Sequence, residues 1–528
     1  MNLTGKNIVG NELSGEGEEV FTAVNPSTNK GIAPEFHEAT EREIEKAMDA
    51  AEQAFRIYSG KSGEDKAIFL EAIAGEIISL GDELLKRCGE ETGLPEGRLV
   101  GERARTVGQL KLFAEMIREG SWVDARIDSS DPTRKPAPRP DIRGMLKPLG
   151  PVGIFGASNF PLAFSVAGGD TTSALAAGCP VVFKAHPAHP GTCEMVGTAI
   201  LNAARKTGMP HGTFSMLHGS STRVGMAIVV HPLIRAVAFT GSFRGGKAIY
   251  DAAVRRPEPI PVYAEMGSSN PVFILPHALR ERGGEIAKGL TASVTLGVGQ
   301  FCTSPGLVFY LASKEGENFQ EAAANEFSAV AAGPMLTAGI SKAYKKGVDN
   351  LNEHEGIQLL AKGKSHGGPL EGIACLLNTT AEEFMNDDHL EEENFGPSTL
   401  TVAADNISEL VKIAENLKGH LTVTIHATEE DLMEHSILMA ILERKVGRLI
   451  INGFPTGVEV CDAMVHGGPF PATTDSRTTS VGTRAIERFA RPLCYQDFPD
   501  HMLPNELKDR NPLGIVRMIN GKRTSSAL

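Results

Sequence analysis

The chain has 528 residues, of which 41% are hydrophobic and 22% charged, as is typical of a globular protein with two or three domains. Its net charge of -13 argues against a general nucleic-acid binder, and no apolar run approaches the length that spans a bilayer. The N-terminus lacks a secretory signal, and the seven cysteines contain no C-x-x-C pair. We therefore expect a cytoplasmic protein with reduced thiols, without a metal site and without nucleic-acid or membrane partners.

The first 120 residues are predicted to be mainly helical after a short strand at 21–26. Thr40 and Glu43 have the spacing of a capping box, and apolar residues then recur at helical spacing. Two further helices are predicted over 65–88 and 97–117. Residues predicted to face the core include Ile57, Ile68, Ile73, Ile77, Leu84 and Leu85.

Residues 126–149 differ in character from what precedes them. Four prolines between Pro132 and Pro140 exclude a helix, and the flanking sequence is typical of extended chain. Composition alone favours an exposed linker, and an arm that pairs with another subunit is the alternative.

From Gly150 onwards, predicted strands alternate with helical segments, the first of which covers 163–177. This alternation favours βαβ units and parallel sheets. We predict two α/β domains with a boundary near residue 266. The predicted strands are 152–155, 180–184, 233–239, 271–275, 307–311, 421–425 and 448–451.

Three loops that follow predicted strands carry candidate ligand-binding groups, because α/β sheets bind ligands at the carboxyl ends of their strands. Asn159, in residues 156–161, can donate its amide N–H to an oxyanion or bond its own backbone in a turn. Lys184 can contact a ribose or a phosphate, or lie solvated on the surface. Residues 241–246 can cradle a phosphate at a helix start, although they do not form the G-x-G-x-x-G pattern.

Two further residues are candidates for covalent chemistry. Glu265 ends an apolar run beside a glycine; a partly desolvated carboxylate has a raised pKa and can act as a general base, whereas a solvated loop glutamate is the alternative. Cys302 lies among small and turn-forming residues at 297–305. Such a cysteine can be a nucleophile or a small buried hydrophobe.

In their order and identity, these stretches resemble the aldehyde dehydrogenase superfamily, from about residue 25 to about residue 491. Two segments, KAHPAHPGT at 184–192 and HGGPFPAT at 466–473, are similar to the NADP-preferring long branch. That branch contains α-ketoglutarate semialdehyde dehydrogenases and a bacterial fatty-aldehyde dehydrogenase. The superfamily motifs are NFPL at 159–162, Lys184, FTGS at 239–242, EMG at 265–267, QFC at 300–302 and ENFGP at 393–397.

The resemblance implies a catalytic role for Cys302, Glu265 and Asn159. The Cys302 thiolate attacks the aldehyde carbon, and the Asn159 amide and the Cys302 backbone N–H hold the oxyanion. Hydride loss leaves a thioester, and Glu265 activates the water that hydrolyses it. Because phosphorylating and CoA-acylating relatives do not use this base, the expected product is a free carboxylate.

The resemblance also implies a nicotinamide cofactor. NAD-specific members carry a glutamate three residues after the lysine, where this chain has Pro187, so a 2′-phosphate is not repelled there. Arg223 is the expected partner of that phosphate, and NADP is expected to be preferred, with NAD possible. The other expected contacts are Lys184 with the adenosine ribose, Ser242, Gly241 and Gly246 with the pyrophosphate, Glu393 with the nicotinamide ribose and Phe395 with the nicotinamide.

The implied fold is α/β, with a Rossmann-like cofactor domain formed by 1–125 and 150–265 and an α/β catalytic domain at 266–485. Residues 126–149 and 486–528 would form a β oligomerisation arm whose C-terminal extension wraps a partner subunit, which reverses the linker interpretation. A homodimer or a homotetramer is expected.

The most specific expectation is oxidation of 2,5-dioxopentanoate (α-ketoglutarate semialdehyde) to 2-oxoglutarate. A broad-specificity or fatty-aldehyde dehydrogenase using NADP is one alternative, which an apolar tunnel would favour. An inactive structural or binding member of the fold is the other, and the joint retention of the catalytic residues argues against it. Arg103 and Arg105 are candidates for binding an anionic substrate, with solvated helix-face charges as the alternative.

Overall fold

The structure is a computed structural model that describes residues 2–528. None of the helices in this part of the chain is long and apolar enough to cross a bilayer. The α-helices are α1 (Glu41–Tyr58), α2 (Gly63–Ser79), α3 (Gly81–Thr92), α4 (Glu96–Glu119), α5 (Gly169–Ala177), α6 (Pro190–Lys206), α7 (Thr222–Val230), α8 (Phe243–Val254), α9 (Pro276–Thr295), α10 (Lys314–Ala329), α11 (Ala338–Glu353), α12 (Ala381–Asn386), α13 (Ile407–Asn416), α14 (Glu429–Glu434) and α15 (Ser436–Leu442).

The strands form three large sheets and two short ribbons. They are β1 (Asn7–Val9), β2 (Glu12–Ser14), β3 (Val20–Asn25), β4 (Lys30–His37), β5 (Arg126–Asp128), β6 (Ile142–Pro148), β7 (Val152–Phe155), β8 (Val181–Lys184), β9 (Phe214–Leu217), β10 (Ala236–Thr240), β11 (Val262–Glu265), β12 (Val272–Ile274), β13 (Leu307–Leu311), β14 (Gly333–Pro334), β15 (Gln358–Lys362), β16 (Glu371–Gly372), β17 (Cys375–Thr380), β18 (Ser398–Ala404), β19 (Thr422–His426), β20 (Arg448–Ile451), β21 (Ala490–Gln496), β22 (Arg517–Ile519) and β23 (Lys522–Thr524).

The first sheet has the order β11-β10-β7-β8-β9-β1-β2, and its strands β7 to β11 are parallel. Alternate residues of β8 face opposite sides: Val181 and Phe183 pack into the core with helices α2 to α6, and Val182 packs into the core with α1, α7 and α8. The strand order reverses between β7 and β10. The loops after these two strands therefore lie side by side at the place where such sheets bind ligands.

The second sheet has the order β15-β17-β18-β13-β12-β19-β20, and all of its strands except β15 are parallel. The short connection between Glu265 and Val272 joins the carboxyl end of β11 to the amino end of β12. Cys302 precedes β13, and Glu393 precedes β18. The carboxyl edge of the first sheet thus meets the amino edge of the second, and the predicted α/β fold with parallel sheets is confirmed.

The third sheet joins two distant parts of the chain in the order β21-β6-β5-β22-β23. β6 pairs antiparallel with β21 along its whole length, so the linker interpretation is wrong for residues 142–148. Residues from the C-terminal extension form β22, which pairs with β5 of the same chain. The domain boundaries and the role of this sheet in oligomerisation stay predictions.

Several helix boundaries differ from the sequence predictions. Thr40 and Glu43 form the expected capping box of α1. The prediction of a single helix over 65–88 is wrong. The helix is interrupted at Gly81, whose φ of +59° lies outside the right-handed helical region, and α2 and α3 take its place. Ile57 and Ile68, predicted to face the core, are 61% and 44% exposed.

The helix predicted over 163–177 begins only at Gly169. The preceding turns are held by Glu102 of α4, whose Oε1 accepts the backbone N–H groups of Leu162 (2.8 Å) and Ala163 (3.0 Å). This long-range contact, which local sequence patterns do not reveal, satisfies two backbone donors of the turns that precede α5.

Candidate active site

The loop that carries Cys302 is held against two neighbouring loops. The Asn270 amide Nδ2 donates to the carbonyl oxygens of Cys302 (2.9 Å) and Ser304 (3.0 Å). A Cβ at Gly299 would lie 2.2 Å from the backbone carbon of Gly396. Glycine is required at 299 because two backbones meet there, which accounts for one of the small residues around the cysteine.

Cys302 and Glu265 meet at a histidine that the sequence analysis did not select as a site residue. His466 Nε2 lies 3.4 Å from Cys302 Sγ and 3.0 Å from Glu265 Oε1. The Ser480 hydroxyl donates to Glu265 Oε2 at 3.0 Å. His466 and Glu265 are both buried, whereas Cys302 is half-buried. The only sequence signal for His466 was its place in the HGGPFPAT segment.

The electrostatics of this group differ from the sequence expectation. Burial raises the pKa of the Cys302 thiol well above its ordinary value and the Glu265 carboxylate adds to the rise, while Arg105 opposes it. Burial also raises the pKa of Glu265, but the charge of His466 and the hydrogen bonds from His466 and Ser480 outweigh it, so the net pKa is lowered. The expected raised pKa of Glu265 is therefore wrong for this arrangement, because sequence alone did not reveal the imidazole beside it.

Asn159 lies next to the cysteine loop, as its proposed role requires. Its Nδ2 donates to the Gln300 carbonyl at 3.0 Å, and a second N–H on the same nitrogen is left for another acceptor. Arg98 Nη2 donates to the Asn159 carbonyl at 2.6 Å. The Arg98 guanidinium carbon lies 4.7 Å from the ring centre of Phe160 and 4.4 Å from that of Phe301. Arg98 thus clamps the asparagine loop to the cysteine loop.

The predicted pyrophosphate loop has the geometry of a helix N-terminus. Ser242 is the N-cap of α8, and its side chain accepts the N–H of Gly245 at 3.3 Å. A Cβ at Gly241 would lie 2.6 Å from the Phe239 ring, and one at Gly246 would lie 2.5 Å from the Met266 side chain. The free N–H groups at the start of α8 fit an anionic group such as a pyrophosphate.

Lys184 ends β8 and is buried. Its Nζ donates to the carbonyl oxygens of Ala185 (2.8 Å) and Gly219 (2.6 Å), and burial lowers its pKa to about 8. Pro187, three residues later, is half-buried in a turn. The solvated-lysine alternative is therefore wrong.

Glu393 and Phe395 lie on the loop before β18. Glu393 Oε1 accepts the N–H of Ser268 at 3.4 Å, and a Cβ at Gly267 would lie 2.4 Å from Glu393 Oε2. The glycine thus lets this carboxylate lie against the connection between the sheets. The surrounding protein desolvates the carboxyl group and raises its pKa, although part of the residue remains exposed to solvent. Phe395 is half-buried on the same loop.

Arg223 stands in the first turn of α7 and is paired with acidic residues. Its Nη2 lies 2.8 Å from Glu19 Oε2 and 3.5 Å from Glu38 Oε2. Glu38 is itself held by the N–H groups of Ser220 and Ser221. A phosphate that binds Arg223 must therefore compete with two carboxylates, which the sequence analysis did not anticipate.

Comparisons with known proteins agree with this geometry. The chain is 50% identical over 523 residues to α-ketoglutaric semialdehyde dehydrogenase 2 of Azospirillum brasilense, covering 99% of this chain and 100% of that protein. It is 46% identical to α-ketoglutaric semialdehyde dehydrogenase of Acinetobacter baylyi, covering 99% of each. A solved structure of an aldehyde dehydrogenase C mutant from Pseudomonas syringae with NAD+ and octanal has a TM-score of 0.78, with 20% identity over 94% of this chain and 97% of that one.

The model of the aldehyde dehydrogenase family matches residues 13–475, which include the cysteine loop, the connection between the sheets and the histidine segment. These residues contain every parallel strand of the first two sheets. On this evidence, the chain belongs to the aldehyde dehydrogenase family and is an oxidoreductase.

Proposed function

We propose that this enzyme oxidises 2,5-dioxopentanoate to 2-oxoglutarate with a nicotinamide cofactor. The observation that carries the proposal is the contact of Cys302, His466 and Glu265 in a chain that is 50% identical over its length to an α-ketoglutaric semialdehyde dehydrogenase. The three side chains supply a nucleophile and two proton acceptors where the edges of the two sheets meet.

The first step requires the Cys302 thiol to lose a proton. His466 Nε2, 3.4 Å from the sulfur, is placed to accept it, and the adjacent Glu265 carboxylate stabilises the resulting imidazolium. The thiolate then bonds to the aldehyde carbon. The backbone N–H of Cys302 and the second N–H of Asn159 are the donors that we assign to the oxyanion.

The bound cofactor supplies the acceptor for the hydride that leaves the former aldehyde carbon. The residues that would hold the cofactor are Lys184, Ser242 and Glu393. The protein loops around it would be shaped by Gly241, Gly246, Pro187 and Phe395. Water then attacks the thioester on Cys302, and the Glu265 carboxylate takes a proton from that water. Its lowered pKa keeps Glu265 ionised and able to accept this proton. The carboxylate product leaves as the thiol is regenerated.

For the cofactor, we propose that NADP is preferred and NAD is accepted. The support is that Pro187 places no carboxylate three residues after Lys184, while Arg223 offers a guanidinium for a 2′-phosphate. Arg223 is paired with Glu19 and Glu38, which compete with a 2′-phosphate and therefore argue against a strict preference for NADP.

A substrate panel tests the proposal: 2,5-dioxopentanoate, glutaraldehyde, glycolaldehyde and a long alkanal, each with NADP and with NAD. We expect the highest kcat/KM for 2,5-dioxopentanoate with NADP. A higher value for the long alkanal would favour the fatty-aldehyde alternative. No turnover of any aldehyde, in protein that binds the cofactor, would favour an inactive member of the fold.

We also propose that the sheet formed by β5, β6 and β21 to β23 is an oligomerisation arm and that the enzyme is a homodimer or homotetramer. Two open edges of this sheet, at β21 and β23, support the proposal, because unpaired strand edges readily pair with another chain. Light scattering during size-exclusion chromatography measures the assembly. A monomer at micromolar concentration would contradict this role.

A further inference from the structure

Two arginines from distant parts of the chain converge on one loop beside the active site. Arg105 of α4 donates through Nη1 to the carbonyl of Val458 at 2.7 Å. Arg448, the first residue of β20, donates to the carbonyls of Pro455 (2.6 Å) and Gly457 (3.1 Å). Both guanidinium groups are thereby brought together at residues 455–458.

Both arginines have N–H donors that form no hydrogen bond with any acceptor in residues 2–528. The Nε and Nη2 atoms of Arg105 and the Nε atom of Arg448 are buried and have no hydrogen-bond partner in that part of the chain. An unpaired buried donor on a charged group costs free energy, so such an arrangement indicates a missing partner. The nearby Arg98 differs, because it is committed to the Asn159 carbonyl and to two phenylalanine rings.

Arg105 is connected to the nucleophile through a chain of side-chain contacts. The Arg105 guanidinium carbon is 5.4 Å from the ring centre of Phe164, and that ring is 6.1 Å from the ring of His466. His466 contacts Cys302. Arg105 and Arg448 both interact electrostatically with Cys302. The positive charge of Arg105 lowers the pKa of the Cys302 thiol.

Arg103, the other arginine considered from the sequence, does not contact residues 455–458 through its hydrogen bond. Its Nη1 donates to the carbonyl of Gly81, where α3 begins. The carboxylates that interact with Arg105 are Glu102, Glu459, and Glu265 of the active site. Glu102 Oε1 accepts the N–H groups of Leu162 and Ala163, and its Oε2, which accepts no hydrogen bond, lies 3.8 Å from Nη2 of Arg98. Neither oxygen of Glu102 is therefore hydrogen-bonded to Arg105.

We propose that Arg105 and Arg448 form a carboxylate subsite that binds the charged end of a short aldehyde-acid while its aldehyde reaches Cys302. The planar guanidinium group matches a carboxylate and can bind it through two parallel hydrogen bonds. This inference rests on the proposed function and deepens it, since it explains how the pocket selects an anionic semialdehyde over an uncharged one of equal length.

The test compares 2,5-dioxopentanoate with pentanal, which has the same chain length and no carboxylate. Arg105→Met and Arg448→Met are each expected to lower kcat/KM for the anionic aldehyde by about 10-fold or more, the effect of one lost hydrogen bond to a charged group. For pentanal the loss is expected to be smaller, because pentanal offers no carboxylate to these guanidinium groups; the loss of the Arg105 charge raises the Cys302 pKa equally for both substrates. Arg103→Met, a matched change on the same helix, should leave the ratio of the two values unaltered.

Thermal unfolding and cofactor binding establish that each variant is folded, and Arg105→Lys provides a second variant that keeps the positive charge. Arg105→Lys should retain more discrimination than Arg105→Met. Equal losses for both aldehydes, or no loss for either, would overturn the subsite while leaving the proposed function standing. A wild-type enzyme that oxidises pentanal but not 2,5-dioxopentanoate would overturn the proposed function and the subsite together.

Discussion

A single nitrogen of His466 contacts both Glu265 and Cys302: Nε2 lies 3.0 Å from Glu265 Oε1 and 3.4 Å from Cys302 Sγ. A protonated Nε2 donates to the carboxylate, whereas an unprotonated Nε2 can accept the thiol proton. One nitrogen cannot fill both roles at once. The protonation of His466 therefore couples the nucleophile to the general base.

His466→Gln removes the imidazole that joins these two groups. We expect kcat to fall by about 100-fold or more, because a positioned proton acceptor typically contributes that much to the rate. Steady-state kinetics measures the loss. Cofactor binding should be retained, because the side-chain partners of His466 are Cys302, Glu265 and the Phe164 ring rather than the residues proposed to hold the cofactor.

A double-mutant cycle with Glu265→Gln shows whether the two residues act as a unit. If they do, the double variant loses much less than the product of the two single losses. Strictly multiplicative losses would contradict the coupling.

Glu265→Gln should also change the pH at which Cys302 becomes reactive. A carboxylate beside a thiol disfavours the thiolate and raises the thiol pKa, so its removal should lower the pKa of Cys302. The rate of alkylation by iodoacetamide, followed at the Cys302 peptide by mass spectrometry, should therefore rise at a lower pH than in the wild type. The exposed Cys494 is the internal control, with an unchanged profile. A shift to higher pH would refute this electrostatic account.

Arg223→Ala should reduce kcat/KM for NADP by about 10-fold or more and affect NAD little, since only NADP carries a phosphate for a guanidinium to bind. Glu19→Gln should act in the opposite direction, because it removes a carboxylate that lies 2.8 Å from Arg223 and competes for it. The ratio of the NADP and NAD values is the measurement. A ratio that Arg223→Ala leaves unchanged would exclude Arg223 as the phosphate partner.

Arg98→Met should loosen the clamp between the asparagine loop and the cysteine loop. We expect a loss of about 1–2 kcal/mol in unfolding free energy, as for a guanidinium held against aromatic rings, together with a fall in kcat. Chemical denaturation and steady-state kinetics measure the two effects. Arg98→Lys restores the charge but not the planar group, so full activity in that variant would contradict the need for stacking.

Much of the fold was accessible from sequence because it depends on local patterns. The capping box of Thr40 and Glu43 and the apolar strand at 448–451 were predicted at their observed places. Glu265 and Cys302 were recognised through motifs with fixed local neighbours. His466 and Arg448 were not assigned to the site, because their relevance depends on contacts that no neighbouring residue encodes.

The sequence by itself determined the fold class, the family and the residues available for chemistry, because short-range periodicity and family motifs are properties of the linear chain. Only the tertiary structure decided how those residues are charged and paired. Glu265 has a lowered pKa because His466, 201 residues away along the chain, lies beside it. Such desolvation and charge effects act through space, so they follow from the packing of distant segments.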